Sequence, residues 1–539
     1  MTTYAQLPSG IIAPHDLALQ AMSSFLFSRG GYRSASGNSK NTVGWHVSAG
    51  SADMDTIPDL PTLRAQSSDL VRNDPLATGA INSNVTAVVG SGVIPQARVD
   101  YEFLGISEEE ASAWQRVAER IFNNLAGGVH FDAERKQNFW QMQATVQRAK
   151  LERGDAFVLR RYIEHPRKKL GMAVQLVESD RVATPLNVAP RANIQAGIEM
   201  DANGAATHYH VMQQHPGEEI TAVTRFTRLP AYDANGDPLV LPIIPRLRPG
   251  QTRGVPYLAP VIEPLKQLGR YTEAELSAAV ISGMFAVFVK SSAPVSPLGP
   301  SIPGMVGGRQ VVPPGNKLTR LQSGMIVDLA PGEEIQVADS QRPNTAFDAF
   351  VTSILRQIGM ALEIPYEVLT KAYTASYSAA RAAIIDAWLF FMKERAFLVE
   401  TFCQPVWEWA ISEAVARGEL EAPGFFDDPL VRDAWVGCDW IGSSVPQIDP
   451  KKEADAATAW HALGIWSKQD ISNQQGRDYD RTYQQRVREK RMEDEAGLSA
   501  VVVQNGQQAA QVVDVEDDTD PEDTPDGGPD NNDNGGSAQ

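Results

Sequence analysis

Residues 345–416 read TAFDAFVTSILRQIGMALEIPYEVLTKAYTASYSAARAAIIDAWLFFMKERAFLVETFCQPVWEWAISEAVA. Phe347, Phe350, Val351, Ile354, Leu355, Ile358 and Leu362 recur at helical spacing. Pro365 disfavours helical backbone at Ile364, so this helix, over 342–364, should stop there. Tyr366 to Ala375 is a polar and aromatic break whose cation is Lys371. From Tyr377 to Gln404 there is neither Gly nor Pro, and Ile384, Ile385, Trp388, Phe391, Met392, Leu398, Val399 and Phe402 make one apolar stripe. At 1.5 Å per residue this second helix spans roughly 40 Å. Such length is unusual in an average globular domain. It points to an elongated subunit that packs beside copies of itself or spans something.

The rest of the chain sets bounds on that reading. With 539 residues, 43% of them hydrophobic, there is material for several domains and a large core. Cys403 and Cys438 have no metal-type spacing and suggest a reducing compartment. The most apolar run, Leu276 to Val289, is too short to cross a bilayer, and no basic segment with a long apolar run opens the chain, so neither a membrane span nor a signal peptide is expected. The net charge is −18, of which the segment after Val513 holds ten acids and no base, leaving −8 on the remainder. An acidic body is unsuited to coating DNA tightly, which needs cations on phosphates. It is compatible with a passage through which DNA slides.

Local patterns give a mixed α+β body. Thr62 to Val89 reads as helix interrupted at Asn73–Pro75 and stopped by Gly90 and Gly92. Ser107 to Glu110 is a capping box opening a helix to Leu125, and Phe139 to Glu152 is another helix. Phe157–Leu159, Ala173–Val177, Ile194–Met200 and His208–Met212 read as short strands, with a hairpin turn at Asp201–Gly204. Pro249-Gly250 is a turn that launches a helix over Leu265 to Lys290. Ser291 to Gly315 is a Pro- and Gly-rich connector, and Met325–Leu329 with Glu334–Val337 reads as a β-hairpin around Pro331-Gly332. Residues 514–539 have the composition of a disordered tail.

Several strings, in order, carry a resemblance. They are Arg72-Asn73-Asp74-Pro75 ahead of Val89-Gly90-Ser91-Gly92; Gly154-Asp155 with Phe157; Glu178-Ser179-Asp180-Arg181; Gly197-Ile198-Glu199 with Asp201; and Arg248-Pro249-Gly250-Gln251-Thr252-Arg253-Gly254-Val255-Pro256. They continue with Gly359 to Leu369, Ser376-Tyr377-Ser378 with Arg381, Gly437 to Gly442, Ile448-Asp449-Pro450 and Gly476-Arg477-Asp478-Tyr479. From about Leu60 to Leu498 the chain thus resembles the portal proteins of tailed bacteriophages, lambda type. Single motifs match by chance; an ordered series does not.

The resemblance implies an α+β, ring-forming portal-type subunit with long stem and wing helices. Its parts would be a flexible arm (1–50), an α+β wing (51–247), a first stem helix (248–292), a small β-containing clip (293–341), a second stem helix (342–364), a tunnel loop (365–376), a long wing-to-crown helix (377–420), a helical crown region (421–498) and an acidic disordered tail (499–539). It implies a homo-dodecameric ring at one capsid vertex of the virion, assembled in the host cytoplasm. Double-stranded DNA would pass through it, and its partners would be the terminase large subunit, major capsid and scaffold proteins, and head-tail connector proteins. No enzymatic role, cofactor or membrane is implied.

Candidate site residues follow. In the tunnel loop Lys371 would face the channel, with Tyr373, Thr374 and Ser376 as neighbours; Lys266 and Arg270 on the first stem helix could face it too. The plain alternative is that all are solvated surface. His208 and His210 share a strand face, but a metal site needs further ligands, and strand surface is the better reading; no metal is expected. Glu199 with Asp201, or Glu178 with Asp180, could be cast as carboxylate pairs of a metal-dependent nuclease, the runner-up reading, although such acids are usually solvated. A third reading is a scaffold or head-completion protein. There is no phosphate-binding loop for ATP.

Overall fold

In the computed structural model the described residues are 49–185, 193–218, 225–283, 287–291, 333–337, 347–373, 376–446 and 449–496. Most of the arm, most of the clip, Thr374 and the acidic tail lie outside them. The chain divides into residues 1–479 and 480–539. Of the second unit, only residues 480–496 are described; they belong to the helix Tyr479–Ala496, which carries no buried residue.

The first unit opens with helices α1 (Ala52–Thr56), α2 (Leu60–Asn73) and α3 (Pro75–Val88). The α2–α3 break is set by Asp74, whose side chain accepts from the N–H groups of Leu76 and Ala77, with Pro75 in the first turn where its missing N–H costs nothing. Strand β1 (Ile94–Ala97), the short α4 (Tyr101–Leu104), α5 (Glu108–Ala126) and α6 (Phe139–Arg153) follow. Ser107 and Glu110 form the expected capping box, and Asn138 with Gln141 forms another at α6.

The β-rich part consists of two antiparallel sheets. β2 (Ala156–Tyr162) lies between β3 (Met172–Val177) and β8 (Val240–Ile243). β4 (Ile194–Gln195), β5 (Ile198–Met200), β6 (Ala206–Met212) and β7 (Phe226–Pro230) form a four-stranded meander. Phe157, Leu159, Val177, Val182, Ile198, Tyr209 and Val211 bury a satellite core between them. The main core is built from α3, α5, α6 and the helices after residue 347. Phe122, Phe131, Phe139, Phe402 and Trp407 are fully buried at its centre, the rings 5.1–5.7 Å apart.

Helix α7 (Ile262–Gly283) does not continue to Lys290 as expected. Residues Val287–Ser291 are strand β9, paired antiparallel with β10 (Glu333–Val337). Two valines and a phenylalanine in five residues suit an extended ladder better than a helix end. The partner found for Glu334–Val337 is therefore β9; the other arm of the expected hairpin, Met325–Leu329, lies outside the described residues.

Helix α8 (Phe347–Ala361) stops three residues before Ile364. Ile364 N–H donates to the Gly359 carbonyl at 2.9 Å and Glu363 N–H to that of Met360 at 3.3 Å, with Glu363 at φ +51°. This is a Schellman stop with glutamate in the left-handed position. Next come α9 (Tyr366–Thr370) and α10 (Tyr377–Leu398), which runs through a π turn at Val399–Cys403 directly into α11 (Gln404–Ala416). The helix thus outlasts Gln404: the wider turn precedes Pro405, which cannot donate to the turn before it. The stripe on α10 also divides. Phe391, Leu398 and Phe402 are buried, but Trp388 is only half-buried, and Ile385 and Met392 are exposed.

The unit closes with α12 (Pro429–Val436), β11 (Cys438–Ile441), α13 (Pro450–Ala462) and α14 (Lys468–Gln474). β11 pairs with β1 in the register Ile94↔Ile441, returning the chain to its start.

Candidate functional site: a buried arginine–aspartate junction and an exposed loop

The strings of the first half converge on one carboxylate. Asp155, at the start of β2, is fully buried. Arg64 from α2 donates to it at 3.0 Å, Arg253 at 2.7 and 3.0 Å, and Gly254 N–H at 3.0 Å. Arg253, itself 2% exposed, also donates to the carbonyls of Ser179, Val182 and Ala196 at 2.7–2.8 Å. Arg64 reaches Asp180 at 3.2 Å, and Arg153 reaches Asp180 at 2.8 Å. Gly154 and Gly254 let two backbones meet: a Cβ on Gly254 would lie 2.0 Å from the Gly154 carbonyl oxygen. Burial pushes the Asp155 carboxyl up, but Arg253 and Arg64 outweigh it and hold the group below its ordinary value. Burial pulls Arg64 below its own ordinary value. These guanidiniums are spent on protein acceptors, so the junction is a clamp joining α2, both sheets and the segment entering α7.

The acids considered for nuclease chemistry are spent likewise. Glu178 and Asp180 do not share a strand face, because Ser179–Arg181 is a 3-10 turn. Glu199 is buried, contrary to the solvated face expected, and accepts both forks of Arg228 at 2.7 and 3.1 Å. His210 Nε2 lies 2.8 Å from Glu199 and is also buried, so the strand-surface reading fails for His210. His208 Nδ1 is 3.3 Å from the same carboxylate. The Arg228 fork, against the burial that would raise it and helped by His210, lowers the Glu199 pKa to about 2. An arginine thus sits where a cation would be needed.

The loop after α8 is less polar in place than in sequence. Pro365 precedes the single helical turn of α9, where Leu369 is buried and Tyr366 and Val368 pack against the core. Lys371 ends this turn at φ +56°, its N–H donating to the Glu367 carbonyl. Its side chain is exposed and makes no ion pair among the described residues, and Tyr373 and Ser376 are exposed beside it. On α7, Lys266 is exposed with Nζ 3.9 Å from Asp69, and Arg270 is exposed. α7 lies against α8 through Tyr271, which stacks on Phe347 at 5.6 Å.

One feature of this face was not expected. Ile385, Leu389 and Met392 form an exposed apolar row on α10, and Met360 on α8 is 83% exposed. Ile385 and Met392 belong to the apolar stripe that the sequence shows along this helix. The spacing that could have revealed the row is the same i, i+4, i+7 pattern that signals core.

The chain matches the family model described as phage portal protein, lambda family, over residues 38–395. It belongs to the lambda family of phage portal proteins, a structural rather than an enzymatic family. It is 28% identical to the portal protein of Escherichia phage N15 over 85% of this chain and 89% of that one. It is 27% identical to portal protein B of Escherichia phage lambda, covering 84% and 88%. A probable portal protein of Halomonas phage phiHAP-1 is 26% identical, covering 81% of each. Among solved structures, a chain from the neck of a native gene transfer agent particle aligns with TM-score 0.39 and 12% identity over 76% of this chain and 91% of that one, too distant to argue from.

Proposed function

We propose that this chain forms the portal ring of a tailed-phage capsid, as a homo-dodecamer at one vertex of the virion, assembled in the host cytoplasm. Double-stranded DNA enters and leaves through its channel, with the terminase large subunit docked during packaging and head-tail connector proteins afterwards; capsid and scaffold proteins surround it. The observation carrying the ring is the apolar row Ile385, Leu389 and Met392 with Met360, left uncovered in one copy. Such contiguous surface is normally covered by a partner, and in a ring that partner is the next copy.

Within that ring, residues 365–376 form the tunnel loop, and Lys371, Tyr373, Thr374 and Ser376 face the channel, flanked by Lys266 and Arg270 of the first stem helix. An acidic passage repels phosphate, while a belt of lysines makes weak, screened contacts that do not stall movement. Lys371→Glu reverses that belt at a site where the side chain makes no ion pair among the described residues. Made in the phage, it should leave rings intact by microscopy and lower nuclease-protected DNA per head severalfold. Normal filling and retention with intact rings would remove Lys371 from the channel.

A further inference from the structure

Five cationic or imidazole side chains gather where two turns meet. The 3-10 turn Val129–Phe131 and the β2–β3 loop bring His130 and His165 face to face, ring centroids 3.7 Å apart and 26° from parallel. Buried Asp132 builds the turn that follows: it accepts from the N–H groups of Glu134, Lys136 and Gln137 at 3.0–3.1 Å. Arg135, inside that turn, is held at φ +58°, a left-handed conformation that arginine rarely adopts. The facing loop continues His165-Pro166-Arg167-Lys168-Lys169. The adjoining carboxylates already have partners: Glu134 pairs with Lys136 at 2.8 Å, Glu164 with Arg417 at 3.3 Å and Glu419 with Lys169 at 2.8 Å. Arg135 and Arg167 are exposed and form no ion pair among the described residues. Lys168 Nζ donates to the Asn124 carbonyl and meets no acid among the described residues. Desolvation, then the charges of His165, Arg135, Lys168 and Arg167, hold His130 below its ordinary value, so these cations act on one spot.

Segments 133–136 and 165–169 contain no Leu, Ile, Val, Met, Phe, Tyr or Trp. Protein interfaces are anchored by such side chains, whereas phosphate contacts need only cations and N–H donors. The β2–β3 hairpin lies on the C-terminal end of α11, where Glu413 accepts from the N–H groups of Gly171 and Met172 at 2.7 and 2.8 Å. Lys371 stands before the other end of the helix that runs from Tyr377 to Ala416, about 60 Å along at 1.5 Å per residue. The patch is therefore distinct from the loop that carries Lys371. We propose that His130, Arg135, His165, Arg167 and Lys168 bind the phosphate backbone of duplex DNA, as a second contact, independent of base sequence and separate from the channel. Only its place outside the channel rests on the portal reading. An acidic chain repels DNA at long range, so a local contact of this size holds it weakly and releases it with salt.

The test is the binding of a labelled duplex of about 20 base pairs to the full-length chain, read by fluorescence anisotropy over a salt series starting at about 50 mM. Arg135→Glu/Arg167→Glu should weaken binding at least about tenfold and lower the slope of log affinity against log salt by about 2, the share of two phosphates. Arg135→Ala/Arg167→Ala removes the same two contacts without adding acid. It should give the same fall in slope with an unchanged melting temperature. Both losses should persist in a Lys371→Glu background. Unchanged affinity in folded double variants would overturn the proposal. So would a loss that vanishes with Lys371→Glu, which assigns the binding to the channel. Polyglutamate that displaces the duplex more readily than unlabelled duplex does would also overturn it, making the patch a contact for an acidic protein. Absence of rings in the wild-type protein would count against the portal reading and leave this contact standing.

Discussion

Asp155 is held by groups 91 and 98 positions away in the chain, Arg64 and Arg253. The strings containing Asp155 and Arg253 were visible in the sequence; their meeting was not, because nothing local announces a buried ion triad. Removing the acid strands two buried cations, which typically costs about 3–5 kcal/mol. Asp155→Ala should therefore lower the unfolding free energy measured by urea titration by that amount, and a change under about 1 kcal/mol would mean the triad is not an anchor. Glu199 gives a pH signature. Its carboxyl titrates at about 2, below the ordinary unfolded value of about 4.3, so its contribution is complete above that value and lost as pH falls towards 2. Glu199→Gln should be less stable at neutral pH and flatten the melting-temperature slope between about pH 4.5 and 2. An unchanged slope would place the acid sensitivity elsewhere. The sequence placed Glu199 and His210 on strands but not inward, since alternation fixes which residues share a face and not which face is covered.

Helix starts were legible because caps are local: Asp74-Pro75 and Ser107 with Glu110 lie where expected. Helix ends were less so. Pro365 predicted a stop at Ile364, but the chain turns earlier, because Gly359 admits the Ile364 carbonyl and Glu363 accepts a positive φ. A Cβ at Gly359 would lie 2.5 Å from that oxygen. Gly359→Ala should cost about 1–3 kcal/mol by overpacking. Glu363→Gly should relieve left-handed strain, about 1–2 kcal/mol, less the added chain entropy of glycine, for a net gain of about 0.5–1 kcal/mol. Thermal melts of the two variants should move in opposite directions; a common direction would show that this stop is not what fixes the entry to α9. The strand Val287–Ser291 was missed for a different reason: its partner, Glu333–Val337, is remote in sequence, and remote pairing overrides a local helical pattern. Trp388 shows the same limit. It lies in the apolar stripe yet is only half-buried, whereas Trp407, beyond the π turn, is fully buried.

For the whole molecule, family membership was legible from the ordered strings. The two apolar faces of α10 were not separable, since one packs on its own subunit and the other, with Ile385, Leu389 and Met392, is exposed in it. Leu389 is 68% exposed, so Leu389→Asp should change subunit stability by no more than about 0.5 kcal/mol. It should nevertheless prevent assembly, because a desolvated unpaired carboxylate would sit in each contact. The direct test of the portal assignment is the mass of the purified wild-type particle, measured by mass photometry without DNA or added metal and imaged by negative stain. The account predicts closed rings of about twelve copies with a central channel, and a shift to single subunits in Leu389→Asp. A wild-type protein that stays monomeric or dimeric at micromolar concentration, with no channel in any particle, would contradict it.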